Sequence, residues 1–453
     1  MSVPPEAVRP ELRRVLGLWD SVAVIVGIII GSGIFFTPTS IAKEVGSWGA
    51  VLFVWILGGL AALCGSLTYA ELATAWPRTG GIFVYLRECF GPLPSFLFGW
   101  ASLIVIRPSA VAGISVIFAT YVAYFIPVPQ IGIKLIAVSG ILIVSIINYT
   151  GVRATSVILN IFTSIKIFTL VAIAFVGLVL FRSSGAPMGP MLPATFNWSY
   201  ASAFGVALIG VFWTYDGWVE ITNIAGEIRE PAKIIPRALL LATVGILTIY
   251  TLVNLAYLRV LTLEGVQNSG RVASDTLVRV FGPVGGSLIA VAVIVSTFGA
   301  LNGTTLTGPR IFFAMAVDGL FFSWARKVSP RYKSPSTAIA LEAALAIPLV
   351  ITWTFDQVAT YFVYMFLIFY ALSALAVFRL RRMPGAPIPT YRTWGYPWTT
   401  LCFVLVAVGI LINTTLRAPV QAGLGLLILG AGVPVYYLWR HLKSDRQHIR
   451  EIA

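Results

Sequence analysis

The 453-residue chain is 58% hydrophobic and only 11% charged, with a mean hydropathy of +0.91, which excludes a soluble enzyme, since soluble domains carry about 25% charged residues. The formal charge of +14 is spread between apolar segments rather than gathered in one patch, so it reads as membrane topology, with the lipid bilayer as partner and no nucleic acid. The three cysteines, Cys64, Cys89 and Cys402, lie in or beside apolar segments without metal-ligand spacing, so neither metal nor cofactor is expected.

Residues 1–20 mix acids and prolines ahead of the first apolar run and predict a cytoplasmic segment before an inserted, uncleaved helix. A membrane span takes about 20 apolar residues. Candidate segments lie near 21–46, 50–75, 92–125, 132–150, 155–181 and 200–226. The second half supplies 236–259, 284–320, 335–353, 358–379, 398–416 and 420–440, twelve in all, followed by a tail at 441–453. Residues 261–280 read equally as a short amphipathic helix over an outer vestibule or as an exposed loop. Placing both termini in the cytoplasm gathers most of the 31 Lys and Arg on that side, among them Arg13, Arg14, Lys233, Arg381 and Arg440. The outer loops keep only Arg182, Arg259, Arg271, Arg279 and Arg417. The positive-inside rule therefore predicts an all-α, twelve-span protein of a plasma or inner membrane with both ends cytoplasmic.

Two spans are interrupted. VGIIIGSGIF at 26–35 places Gly31, Ser32 and Gly33 inside an oily segment, with Pro38 suited to the first turn of a new helix. Five spans on, FWTYDGW at 212–218 places Asp216 and Gly217 at mid-span, where they are tolerated facing a cavity or protein interior. Close packing through small residues explains one glycine run. Paired interruptions in corresponding spans point instead to an inverted-repeat transporter site. An unwound helix offers amide donors at one half-helix end and carbonyl acceptors at the other, the two things a zwitterionic amino acid needs. The Ser32 to Ile34 amides are candidate carboxylate donors, and carbonyls of Val26 to Ile28 and Phe212 to Tyr215 candidate ammonium acceptors.

The sequence resembles the amino acid–polyamine–organocation superfamily and, within it, a prokaryotic member of the L-type amino acid transporter family. The resemblance rests on VGIIIGSGIFFTPTSIAKEVGSWG in the first span, TYAELATAWPRTGGIFVYLRECFG at 68–91, VFWTYDGWVEITNIAGEIREPAK at 211–233 and STFGALNGTTLTGPRIFFAMAVDG at 296–319. It implies a five-plus-five inverted-repeat bundle, with repeats at 21–181 and 200–379, and two additional helices at 398–440. It also implies alternating access and substrate held at the two breaks by Ile28, Ile29, Gly31, Ser32 and Gly33 with Phe212, Trp213 and Thr214. Trp213 matches an aromatic that closes over substrate in the family. Asp216 stands where familiar animal members have glycine; it either recognises a substrate cation or supports the broken helix, and the second reading is preferred.

Lys166, mid-span in IFTSIKIFTLVAIAFVG, needs partners. In related transporters such a lysine occupies the region that sodium uses in sodium-coupled relatives, with the Gly27 carbonyl and Ser296 or Thr297 as expected partners here. Glu71 is a candidate inner gate, and Asn302 a pathway-lining or inner-gate residue. Arg107 reads as a pathway residue or half of an internal pair, Arg310 as near the cytoplasmic side, and Glu220, Glu227 and Glu230 as partners for Arg153, Arg229 or Lys233. Residues 123–133 lack the cysteine by which animal members bind a heavy chain, so no disulfide-linked heavy chain is expected. The expected function is sodium-independent exchange of small neutral L-amino acids, without enzymatic activity. The alternatives are proton-coupled uptake of neutral or cationic amino acids or polyamines, and a nontransporting amino acid sensor.

Overall fold

The computed structural model describes residues 14–31, 33–181, 188–352 and 355–452, with backbone alone at 152–156, 158–159, 355–360 and 442–452. Ser32, most of segment 1–20, Arg182, the Arg153 side chain and the tail side chains after His441 lie outside what is described. The described residues form α-helices with short 3-10 and π stretches and one isolated parallel bridge, Leu16 to Ile228.

A bent pair comes first: α1 (Leu18–Ile29) and α2 (Gly33–Val45), which meet at 43°. Next come α3 (Trp48–Ala75), the short α4 (Ile82–Phe90), α5 (Pro92–Val122), α6 (Gln130–Tyr149) and α7 (Val152–Phe175). Then α8 (Trp198–Tyr215) ends at a break, a single turn at Glu220–Asn223 follows, and α9 (Pro231–Asn268) begins. The remainder is α10 (Val272–Phe281), α11 (Pro283–Thr307), α12 (Pro309–Val317), α13 (Ser336–Thr352), α14 (Phe355–Leu380), α15 (Trp398–Arg417) and α16 (Pro419–Ile452). Nine helical stretches among the described residues are long and apolar enough to cross a membrane, or ten with the bent pair. Of the other expected spans, α13 is a shorter apolar helix and α8 stops after 18 residues at Tyr215. The protein is a multi-pass membrane protein.

Two helices run on beyond the expected apolar segments. The seventh apolar segment continues to Asn268 through a kink at Thr262, whose φ is +64°. The doubtful segment 261–280 is thus the end of α9 plus the helix α10, not a loop. The last helix runs on past 440, through the segment expected as a tail.

Burial sorts the helices. The apolar windows of α5 and α14 are 67% and 72% enclosed, so these helices are central, while those of α6 and α16 are 22% enclosed. The peripheral helices turn residues such as Leu142, Ile143 and Leu427 outward, where lipid, not water, is the solvent. α3 packs along α8 and α9 because its small residues admit large partners: a Cβ on Gly59 would collide with Leu247 of α9 and lie 2.7 Å from the Tyr215 hydroxyl of α8.

Candidate functional site

The first break leaves helix ends facing one another. α1 stops at Ile29, the Ile30 amide bonds back to Val26, and the Gly31 amide to Ile29. α2 begins at Gly33, so the amides of Gly33, Ile34 and Phe35 have no carbonyl a turn earlier within that helix. They form a partly positive helix N-terminus. Ser32, the expected donor between them, lies outside the described residues.

The second break starts later than the sequence suggests. Phe212, Trp213 and Thr214 belong to the last turn of α8; the chain leaves the helix at Asp216, and Gly217 takes φ +125°, a conformation suited to glycine. The carbonyls of Phe212 to Tyr215 are still the last four of a helix and lack helical amide partners.

The two breaks share a wall. The Thr37 and Thr214 hydroxyls are 2.9 Å apart, and Tyr250 donates to the Ile29 carbonyl at 2.9 Å and reaches the Thr214 carbonyl at 3.5 Å. Between the breaks lies a cavity of about 40 Å3, room for about three waters at roughly 10–15 Å3 each. A substrate therefore enters only as the walls part. Ile28, Ile29, Gly31 and Gly33 line one side, and Trp213, Thr214 and Asp216 another. Ala110, Ile114, Phe362, Arg107, Glu220 and Thr304 complete the lining. Phe212 is buried and does not line the cavity. Trp213 meets Phe362 edge-on at 5.0 Å, an aromatic cover over the apolar end. At the polar end the Asp216 carboxylate accepts from the Tyr370 hydroxyl at 2.8 Å.

Lys166 is the last rung of a ladder joining α7 to α1. Asn160 donates to Asp20 at 2.8 Å, Thr163 to the Ala23 carbonyl at 3.1 Å, and the Lys166 ammonium to the Gly27 carbonyl at 2.7 Å. Residues spaced three or four apart stand on one helix face, so each turn of α7 meets one turn of α1. Lys166 is 1% exposed. Gly299 of α11 makes room for it, since a Cβ there would lie 3.1 Å from Nζ. Neither expected hydroxyl bonds it: Ser296 donates to the carbonyls of Ile30 and Gly31, and Thr297 to Val293 and Ile294 of its own helix. Of the carbonyls expected to face an ammonium, Val26 is taken by Ile30 and Gly27 by Lys166, leaving Ile28 without a partner among the described residues.

Glu71, Asn302, Glu227, Glu230 and Arg310 stand away from the cavity. Glu71 takes two hydrogen bonds from Arg381 at 2.7–2.8 Å and one from the Thr393 amide at 2.7 Å. It pins the segment after α14 to α3, and its carboxylate raises the Arg381 guanidinium above its ordinary pKa. Asn302 accepts from Asn148 at 2.9 Å, bracing α11 against α6. Glu230 pairs with Lys233, as expected, but Glu220 and Glu227 turn inward, to Arg107 and Arg310. Arg310 is buried.

Thr304 and Phe362 were not singled out by the sequence, and Glu220 was expected only as an ion-pair partner for other bases; Arg107, read as a pathway residue or half of an internal pair, lines the cavity and is paired as well. Arg107 donates to Glu220 at 2.8 Å, to Glu342 at 3.3 Å and to the Thr304 carbonyl at 2.6 Å. The cavity thus has main-chain polarity at its middle, aromatic cover at one end and charged groups at the other. No reacting constellation of nucleophile and base accompanies it among the described residues.

Comparison with known proteins agrees with this architecture. Residues 16–433 match the family described as amino acid permease. The chain is 31% identical to the serine/threonine exchanger SteT of Bacillus subtilis (strain 168), over 96% of this chain and 98% of that protein. It is 33% identical to the human b(0,+)-type amino acid transporter 1, over 82% of this chain and 77% of that protein. It is 29% identical to the mouse large neutral amino acids transporter small subunit 2, over 95% and 82% respectively. The chain belongs to the amino acid permease family, and it is a membrane amino-acid transporter, not an enzyme.

Proposed function

We propose that the protein is a sodium-independent exchanger of small neutral L-amino acids, a prokaryotic member of the L-type family working by alternating access. In this reading the chain has twelve spans, with repeats at 21–181 and 200–379, helices at 398–440 added, and both termini cytoplasmic in a plasma or inner membrane. The observation that carries it is the cavity between the two breaks, with the N-terminus of α2 and the C-terminus of α8 at its edge. A carboxylate suits the amides of Gly33 and Ile34; an ammonium suits carbonyls such as Ile28. The small volume and the cover by Trp213 and Phe362 favour a short side chain. The names of the relatives above, an exchanger of serine and threonine and a carrier of large neutral amino acids, support neutral substrates. Lys166 fixed on Gly27 supports sodium independence through the resemblance to transporters in which such a lysine occupies the region that sodium uses in sodium-coupled relatives.

Purified protein in liposomes tests this. Uptake is expected to require an amino acid inside and to be unchanged when sodium is replaced by choline. A large, reversible loss without sodium contradicts the reading.

Asp216 on the cavity wall favours a second reading, cationic substrates. Its hydrogen bond from Tyr370 supports a bracing role instead. D216N is therefore expected to leave neutral uptake within about twofold, the size of a weak neutral hydrogen bond, roughly 0.5 kcal/mol. Selective loss of cationic uptake with neutral uptake retained favours the second reading.

A further inference from the structure

At the charged end of the cavity two acids share one guanidinium, Glu220 on the cavity wall and Glu342 behind it. Arg107, Glu220 and Glu342 are 2%, 6% and 1% exposed. Every other charge packed near Glu342 is committed or distant. From α12, Arg310 is bound to Glu227; from α6, Lys134 bonds the Ile351 carbonyl at the far end of α13, and Tyr149 is exposed. The turn Ser323–Arg326 offers only the exposed Arg326, α5 offers no charge besides Arg107, and Asp216 is held by Tyr370 on the cavity wall.

The two acids are treated differently. Glu220 accepts from Arg107 at 2.8 Å on one oxygen, and from the Thr307 hydroxyl and Asn223 amide on the other. These are donors that suit a carboxylate anion. Glu342 has only the longer, 3.3 Å contact on Oε1, and its buried Oε2 has no hydrogen-bond partner. Gly308 lets the backbone close over this pair: a Cβ there would stand 2.5–2.6 Å from the Arg107 guanidinium and collide with Glu342. A second buried anion beside a single cation is strongly disfavoured, and carboxylates crowded at one site hold a proton between them.

We propose that Glu342 is a proton-binding site of the transport cycle, holding a proton while Glu220 pairs with Arg107. The proposal rests on the transporter reading above. Arg107 and Glu342 stand on α5 and α13, which pack together, whereas Glu220 stands on the turn after the second break. When that turn swings aside to open the cavity, Glu220 leaves with it. The guanidinium then closes on Glu342, whose proton passes to entering water, and the buried cluster stays balanced at one cation and one anion. Raising the pH strips the proton early, pulls Arg107 from Glu220 and stalls the cycle open.

The test uses the full chain. Initial exchange in liposomes is followed across pH for wild type and E342Q, each scaled to its own maximum. The purified proteins are compared by infrared difference spectroscopy in H2O and D2O. Wild-type exchange is expected to fall with rising pH, approaching about tenfold per unit past the midpoint, the slope of a single proton. E342Q, which mimics the protonated acid, is expected to give a flat profile and to lack one deuterium-sensitive carboxylic acid band present in wild type. An unchanged pH profile in E342Q, or an unchanged carboxylic band, overturns the proposal. If E342Q fails to assemble, wild type alone decides, because absence of a titrating carboxylic band overturns the proposal. The band is read without substrate, so failure of the transport reading shows separately, as absent amino acid uptake in wild type.

Discussion

Replacing Gly33 with alanine is expected to lower amino acid uptake by about ten- to a hundredfold. A Cβ at this position would lie 2.5–2.9 Å from the side-chain atoms of Thr214. Thr214 has little freedom to retreat, since its hydroxyl contacts Thr37 and donates to the Gly210 carbonyl. The first helix to follow one break is thus in direct contact with the last turn before the other, and the added methyl forces them apart. Overpacking of this kind costs about 1–3 kcal/mol, and each 1.4 kcal/mol is about tenfold in rate. The cost falls at the point where α2 offers its free amides, so the substrate seat is displaced with the helix. Initial uptake per incorporated protein is the measurement, with thermal stability in detergent recorded alongside. Wild-type uptake in G33A contradicts the close approach of the two breaks.

The Arg310–Glu227 pair is expected to give the largest loss of stability. Both side chains are 1% exposed and meet at 2.8 Å, with Arg310 also bonding the Leu306 carbonyl. Removing the cation alone, as in R310M, leaves a buried carboxylate without its partner, at a cost of about 3–5 kcal/mol. Glu227 also anchors the start of the chain, because its carbonyl accepts from the amides of Val15 and Leu16. The double variant R310M/E227M removes both charges and is expected to recover most of the loss. Midpoints of thermal unfolding in detergent check this: the single variant falls well below wild type and the double variant lies between them. Equal midpoints for the single and double variants contradict the assignment.

The helices were legible because lipid imposes length and hydropathy on each span, whatever its partners. The first break was legible for the same reason, since Gly31 and Gly33 stand out in an oily run. The second was displaced by a few residues. FWT remains helical to Tyr215 because nothing in it prevents helical φ and ψ, and the chain turns only where Gly217 takes a positive φ. Hydropathy marks which residues are unusual in a membrane, but not which of them meet. Lys166 on Gly27 came from resemblance, and its hydroxyl partners did not follow, because Ser296 lies against the carbonyls of Ile30 and Gly31. Arg107 and Glu342 are 235 positions apart, and no spacing rule joins them. Yet Glu342 is the sole acid in STAIALEAALAIPLVIT, a signal as strong as that of Lys166. Glu227, expected beside Arg153, Arg229 or Lys233, instead turns inward to Arg310, 83 positions away, which no local spacing foretells.

A structure determined with a small neutral amino acid bound tests the central claim most directly. The substrate carboxylate is expected within hydrogen-bond distance of the Gly33 or Ile34 amide, with its ammonium facing carbonyls at the ends of α1 and α8 and its side chain under Trp213 and Phe362. An amino acid seated away from both breaks, or uninterrupted helices running through 30–33 and 216–219 around it, contradicts the account.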